Sequence, residues 1–308
     1  WVGIEERLGG VVIGQDNAVR EAARALVTGR LKRGRRHRPM SVLAFVGPPG
    51  VGKGTLAAGI AEEIFGDPRA MLRLDMTDFQ EAHAMSRLVG SPPGYVGYED
   101  EDMLVTPLRR RPSTVVLLED FDRAHPRIQE RLLRLLEEGE IADTRGLAAD
   151  ASNAIFILTV QTAAQHKAAK IGFGGEGGNS ETARALLDEH DPALAARLAD
   201  HIDALILFEE LGRAGGSPAL ALLNQRLDAF VGAMSEEYGI DVELTDALRD
   251  ELRARANAFS DAHSIDELVD SLLYSPITDA MLGEGCGRHV VLDWAAQSVN
   301  VRPGEPDS

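Results

Sequence analysis

A chain of 308 residues is long enough for two packed domains, and 44% hydrophobic with 26% charged residues is the balance of a soluble globular protein. A formal net charge of −17 argues against general affinity for nucleic acid, and no apolar run of about 18 residues is present to span a membrane. The single cysteine, Cys286, excludes an internal disulfide and fits a reducing compartment, so a cytoplasmic location is expected. Because the chain opens on Trp1 rather than Met, it is expected to be a fragment, so that the lack of a targeting segment in it excludes nothing.

In chain order, the first strong signal is "RLKRGRRHR" (30–38), with six Lys or Arg. It reads either as a nucleic-acid patch or localisation signal, or as the solvated end of a helix. The second reading is favoured, because basic side chains suit the negative carbonyl end of a helix. Five short β-rich runs follow: "SVLAFVG" (41–47), "MLRLDM" (71–76), "STVVLL" (113–118), "AIFILTV" (154–160) and "ALILF" (204–208). Helical patterns separate most of them. Ile128, Leu132, Leu135 and Leu136 fall at i, i+4, i+7 and i+8, the spacing of one apolar helix face. Strands alternating with helices predict an α/β fold with a mainly parallel, wound sheet.

The glycine-rich "IGFGGEGGNS" (171–180) reads as a loop. After "GRAGGSP" (212–218) strand signals become sparse and Ala/Leu-rich helical patterns dominate, with Ser217-Pro218 suited to a cap and first helical residue. A boundary near residue 212 is expected. It divides a large nucleotide-binding α/β domain (1–212) from a small, mainly helical domain (213–308).

The chemistry lies in "GPPGVGKGT" (47–55), a glycine-rich turn between a predicted strand and a predicted helix. The pattern G-x-x-x-x-G-K-[ST] is met at Gly47, Gly52 and Lys53. It fails at Gly54, and the hydroxyl arrives one place late on Thr55. The loop residues Pro49, Gly50, Val51 and Gly52, with the helix N-terminus behind them, can wrap phosphates, and Lys53 adds a point charge. A chance Gly/Pro turn is the alternative, and the flanking strand and helix count against it. "VVLLED" supplies the matching half, an apolar strand ending in Glu119 and Asp120. One acid would organise Mg²⁺ and the other would orient an attacking water.

Three phrases now carry a resemblance: "VVIGQDNAV" (11–19), "RLDMTDFQEAHAMSRLVGSPPGYVGYED" (73–100) and "LRRRPSTVVLLEDFDRAHPRIQERLLRLLEEGEIADTRG" (108–146). The chain resembles the AAA+ Clp unfoldases, specifically their second ATPase module, from about residue 1 to 250. The resemblance implies a P-loop NTPase domain with a five-stranded core and a helical lid. It implies ATP and Mg²⁺ bound between the subunits of a homo-hexamer that pulls unfolded protein substrates through a central pore. Val12 and Ile13 are implied as nucleotide-binding, and Thr55 with Glu119 as the Mg²⁺ ligands. A Gly-Lys-Gly-Thr ending also occurs in adenylate-kinase-like loops, so the late hydroxyl need not break the site.

The resemblance extends residue by residue. Tyr95 and Val96, within Gly94-Tyr95-Val96-Gly97, would grip substrate in the pore. Glu101 and Asp102 stand where the family usually has two glycines, which makes that loop more acidic. The segment 138–146 falls where a second pore loop is expected. After the fourth strand the family carries Thr-Ser-Asn, whereas this chain reads Thr159-Val160-Gln161. The trans-acting arginine finger falls on Arg197 counted from Pro192, or on His201 counted back from Phe208, and Arg197 is preferred for its permanent charge. "GCGRHV" resembles the lid motif that places Arg288 near the phosphates. Ile171-Gly172-Phe173 resembles the tripeptide that docks some Clp unfoldases on a barrel-shaped peptidase, and folding back onto the domain is the equal alternative. The family order of acids is Asp then Glu. Here it is reversed, and with Gly54 and Gln161 this leaves two readings open: a working unfoldase, or an ATP-binding scaffold with weak hydrolysis.

Overall fold

The computed structural model describes residues 1–32, 37–91, 101–162, 178–211, 217–259, 261–282 and 288–303. They form two compact units, Trp1–Glu209 and Glu210–Ser308.

The first unit is built on a five-stranded sheet in the order β2-β3-β6-β1-β7. Its strands are β1 (Ser41–Gly47), β2 (Met71–Asp75), β3 (Val115–Glu119), β6 (Ile155–Gln161) and β7 (Ala204–Leu207), and every pairing is parallel. These are the five runs expected from sequence. The central strands β1 and β6 are buried almost throughout, because helices cover both faces of the sheet. Alternation along the strands sorts the core into two layers. Leu43, Phe45, Leu117 and Ile157 face one layer with residues of α2 (Asp16–Lys32) and α3 (Lys53–Phe65). Val42, Ala44, Leu118 and Leu158 face the other, with residues of α6 (Pro126–Glu138), α7 (Gly178–His190) and α8 (Pro192–Leu198).

Helix α6 shows how sequence fixes an element here. Pro126 opens it, His125 Nδ1 accepts the Arg127 N–H at 3.2 Å, and Ile128, Leu132, Leu135 and Leu136 are all buried. It stops at Gly139, whose φ of 70° is left-handed. Behind it, β4 (Glu140–Ala142) and β5 (Ala148–Asp150) make a short antiparallel hairpin. Arg30 and Lys32 occupy the last turn of α2, as the helix-end reading of the basic stretch expects.

The second unit contains α9 (Ser217–Tyr238), α10 (Asp246–Ala256), α11 (Ala262–Val269) and α12 (Ser275–Leu282). Phe230 and Tyr274 meet edge to face at 4.7 Å in it. Strands are better represented here than the sequence suggested. β8 (Asp241–Leu244), β9 (His289–Ala295) and β10 (Ser298–Pro303) form a three-stranded mixed sheet. Among the described residues, no helix is long and apolar enough to cross a membrane.

Gly139 is demanded twice over. Its backbone is left-handed, and a Cβ there would stand 1.9 Å from the His37 carbonyl oxygen. Gly139→Ala is therefore expected to destabilise the first unit by at least about 1–3 kcal/mol, read as a lower urea midpoint. An unchanged midpoint would show that the His37 segment yields freely.

Candidate active site

The carboxyl ends of β1, β3 and β6 lie side by side, the usual ligand edge of a parallel sheet. β1 delivers the glycine loop there. Gly52 has a φ of 99°, and a Cβ on it would stand 2.7 Å from Val12 Cγ1, so only glycine lets the loop pass Val12. Val12 is buried and Ile13 half-buried. Gln15, buried two residues on, donates from Nε2 to the Val51 carbonyl (3.2 Å) and the Glu209 carbonyl (2.7 Å) and accepts the Glu209 N–H (3.1 Å). It ties the glycine loop to the chain leaving β7. The sequence reading did not single it out, although it falls inside the quoted "VVIGQDNAV".

Lys53 begins α3 and is buried. Its Nζ donates to the carbonyls of Gly47 (2.8 Å) and Pro48 (2.6 Å), at the foot of its own loop. Burial lowers its pKa to about 8, against the pull of the carboxylates of Asp120, Asp122 and Glu119. Gly54 offers no side chain, and Thr55 is exposed in the first turn of α3.

β3 ends on Glu119. Asp120 then takes a left-handed backbone, φ 52°, uncommon for a residue with a Cβ. Two residues of β6 hold that turn. The Asp120 N–H donates to Thr159 Oγ1 at 3.0 Å, and Gln161 Nε2 donates to Asp120 Oδ2 at 2.8 Å. Burial raises the pKa of Asp120, with Asp122 and Asp75 acting the same way and the Gln161 bond and Lys53 opposing. The result is a carboxylate less acidic than usual, the direction that suits a proton acceptor. Asp122 places one oxygen 3.1 Å from His190 Nε2 at the end of α7. Glu119 is held from the other side, where the guanidinium of Arg73 on β2 grips both its oxygens, Nη2 donating to Oε1 at 2.9 Å. Arg73 is a residue the sequence reading missed. Its signal was a lone cation inside the apolar run "MLRLDM".

The loop, Lys53, Glu119, Asp120 and Gln161 thus converge on one edge. Arg197 and His201 make their contacts elsewhere in the first unit. Arg197 on α8 donates to the Ala193 carbonyl (3.2 Å) within its own helix. His201 Nδ1 meets the Arg197 carbonyl (2.7 Å), and the His201 carbonyl accepts from Arg38 (2.6 Å). Arg288 immediately precedes β9 in the second unit, where its carbonyl accepts the Asp241 N–H at 2.8 Å. Tyr95, Val96, Ile171, Gly172 and Phe173 lie outside the described residues.

Next to Tyr95, the stem of its segment is described. Met103 N–H donates to the Arg87 carbonyl (2.8 Å) and Leu104 N–H to the Leu88 carbonyl (3.3 Å). Thr144, at the tip of the β4–β5 hairpin, donates its N–H to the Val89 carbonyl (3.1 Å) and its hydroxyl to the Ser91 carbonyl (2.9 Å). The acids expected to make this segment more acidic are engaged by α5 (Val105–Arg110). Glu101 pairs with Arg110 (2.9 Å), and buried Asp102 accepts the N–H (2.8 Å) and hydroxyl (2.6 Å) of Thr106. The charge of Glu101 is thus offset by Arg110, while Asp102 is held by neutral donors.

Residues 38–203 match the family described as AAA domain (Cdc48 subfamily). The chain is 31% identical over 293 residues to the ATP-dependent Clp protease ATP-binding subunit ClpE of Bacillus subtilis, covering 94% of this chain and 41% of that protein. It is 36% identical over 254 residues to the ATP-dependent Clp protease ATP-binding subunit ClpC of Staphylococcus aureus, covering 81% of this chain and 31% of that protein. The chain therefore spans less than half the length of these relatives.

The state of Lys53 makes two pH effects separable. Between pH about 8 and 10.5 the unfolded chain carries a proton on Lys53 that the folded chain has released. From this group alone, stability therefore rises with pH across that window. Anion binding needs the ammonium and runs the other way. ATP affinity, measured by calorimetry, is expected to weaken as pH rises through about 8. Lys53→Met should bind weakly, with a flat profile over the same range. A sloping Lys53→Met profile would assign the titration to another group.

Proposed function

The chain belongs to the AAA family of ATPases, with Clp ATP-binding subunits among its relatives, and from that premise we propose that it is an ATP-driven protein unfoldase. In this reading six copies form a ring in the cytoplasm, and ATP sits where neighbours meet. Unfolded protein is drawn through the central channel, gripped by Tyr95 and Val96. The observation that carries the proposal is the meeting of Lys53, Asp120 and Gln161 at the ends of neighbouring parallel strands.

The residues present fit a nucleotide. The glycine loop offers N–H groups beside a helix start, and Lys53 must exchange two carbonyls for phosphate oxygens. Bound Mg²⁺ would offset phosphate charge and template in-line displacement, and Glu119 with Thr55 is the set available to hold it. Asp120 accepts a proton from the attacking water, and Gln161 fixes the direction of that carboxylate. Arg197 is assigned to the neighbouring subunit's nucleotide, and Arg288 to the phosphates within its own subunit. The relatives' names tie them to a protease, which supports Ile171-Gly172-Phe173 as the element that docks on a Clp-type peptidase.

A second reading, an ATP-binding scaffold that hydrolyses slowly, rests on Gly54 and on the Arg73–Glu119 pair. Two variants decide. Asp120→Asn should keep ATP binding while steady-state turnover falls by roughly 10²–10⁴, the worth of a positioned base. A wild-type ring that binds ATP yet turns over no faster than this variant would favour the scaffold. Tyr95→Ala should preserve ATP turnover but abolish ATP-dependent unfolding of a tagged fluorescent protein. Unfolding undiminished in Tyr95→Ala would remove the pore assignment.

A further inference from the structure

Among the described residues, it is Glu119 whose carboxylate comes within 4 Å of the position a side chain at residue 54 would start from. A Cβ at residue 54 would stand 3.6 Å from Glu119 Oε1. That same oxygen accepts from Arg73 Nη2 at 2.9 Å, while Arg73 Nε takes the other oxygen. A forked guanidinium takes one in-plane lone pair on each carboxylate oxygen and sets a positive charge beside both. A divalent cation at Glu119 needs one of those oxygens. Among the described residues there is no cluster of three potential metal ligands here to supply a substitute.

Arg73 is built to leave. It lies on β2, an edge strand, and its side chain is 64% exposed whereas that of Glu119 is 20% exposed. A second anion stands on its own strand. Asp75, two residues on, lies on the same face of β2 and attracts Arg73. The guanidinium can therefore turn from Glu119 towards Asp75 and solvent without losing all its counter-charge.

We propose that Arg73 is an internal competitor for the divalent cation at Glu119, so that metal enters this site by displacing a guanidinium. The proposal rests on the nucleotide-site reading given above. Such competition raises the Mg²⁺ concentration the site needs above what the charge of Glu119 alone would give.

Nucleotide affinity separates the two layers of the argument. Binding of a fluorescent ATP analogue is measured first in EDTA, then across a Mg²⁺ titration, for wild type, Arg73→Met and Arg73→Lys. Removing the competitor should lower the half-saturating Mg²⁺ concentration for enhanced binding in Arg73→Met by about two- to fivefold, the range an exposed ion pair commands. Arg73→Lys keeps the charge without the fork and should fall between. Circular dichroism melts confirm that the variants fold, and Arg73→Lys carries the test if Arg73→Met does not. An unchanged or higher Mg²⁺ requirement in the folded variants overturns the competition. Wild type that binds no analogue in either condition overturns the nucleotide-site reading itself, and this inference with it.

Discussion

Glu119, Asp120 and Asp122 leave β3 within four residues of one another, and the first unit depends on keeping them together. Three carboxylates at the low-dielectric edge of a sheet repel one another, and each loses hydration. Two cations make the arrangement possible. The buried ammonium of Lys53 feels all three acids from the glycine loop, and the guanidinium of Arg73 closes on Glu119 from β2. His190 takes up one oxygen of Asp122. The loop, the edge strand and the end of α7 thus each supply a partner to one or more of these acids. The apolar layers above and below the sheet supply the stability that such a concentration of charge draws upon.

Seen in that frame, the reversed acids and the long amide are parts of one arrangement. Asp120 is one methylene shorter than the Glu expected at its place, and Gln161 is one methylene longer than the Asn expected opposite. The amide still meets the carboxylate at 2.8 Å. The left-handed backbone of Asp120, held by Thr159, turns the short side chain to that partner. At Glu119 the longer acid reaches towards Gly54, where no side chain competes for the space.

Much of the first unit was legible in the sequence, for a physical reason. Strands buried on both faces read as continuous apolar runs, and β1, β3 and β6 are such runs. The face of α6 was legible because four apolar residues repeat at helical spacing. The small sheet of the second unit was not. β8 and β10 are short and alternate apolar with polar residues, so each carries little signal alone; β10 joins β9 in a tight hairpin, but β8 finds β9 only across the chain, Asp241 pairing with His289. At the site, the glycine loop and the acid pair announced themselves by local pattern. Arg73 and Gln15 did not, because their roles exist only across the sheet, 46 and 194 residues from their partners Glu119 and Glu209. Glu101 and Asp102 show the converse, since sequence displays their charge but not the Arg110 and Thr106 that engage them.

The stem formed by residues 87–91 and 101–104 has an evolutionary consequence. The two segments are joined backbone to backbone, Thr144 fastens one side, and α5 fastens the other. The side chains that make these bonds, Glu101, Asp102, Thr106, Arg110 and Thr144, all lie outside residues 92–100. The stem is in effect a socket. Selection can exchange residues 92–100 while keeping every side chain that fastens the stem.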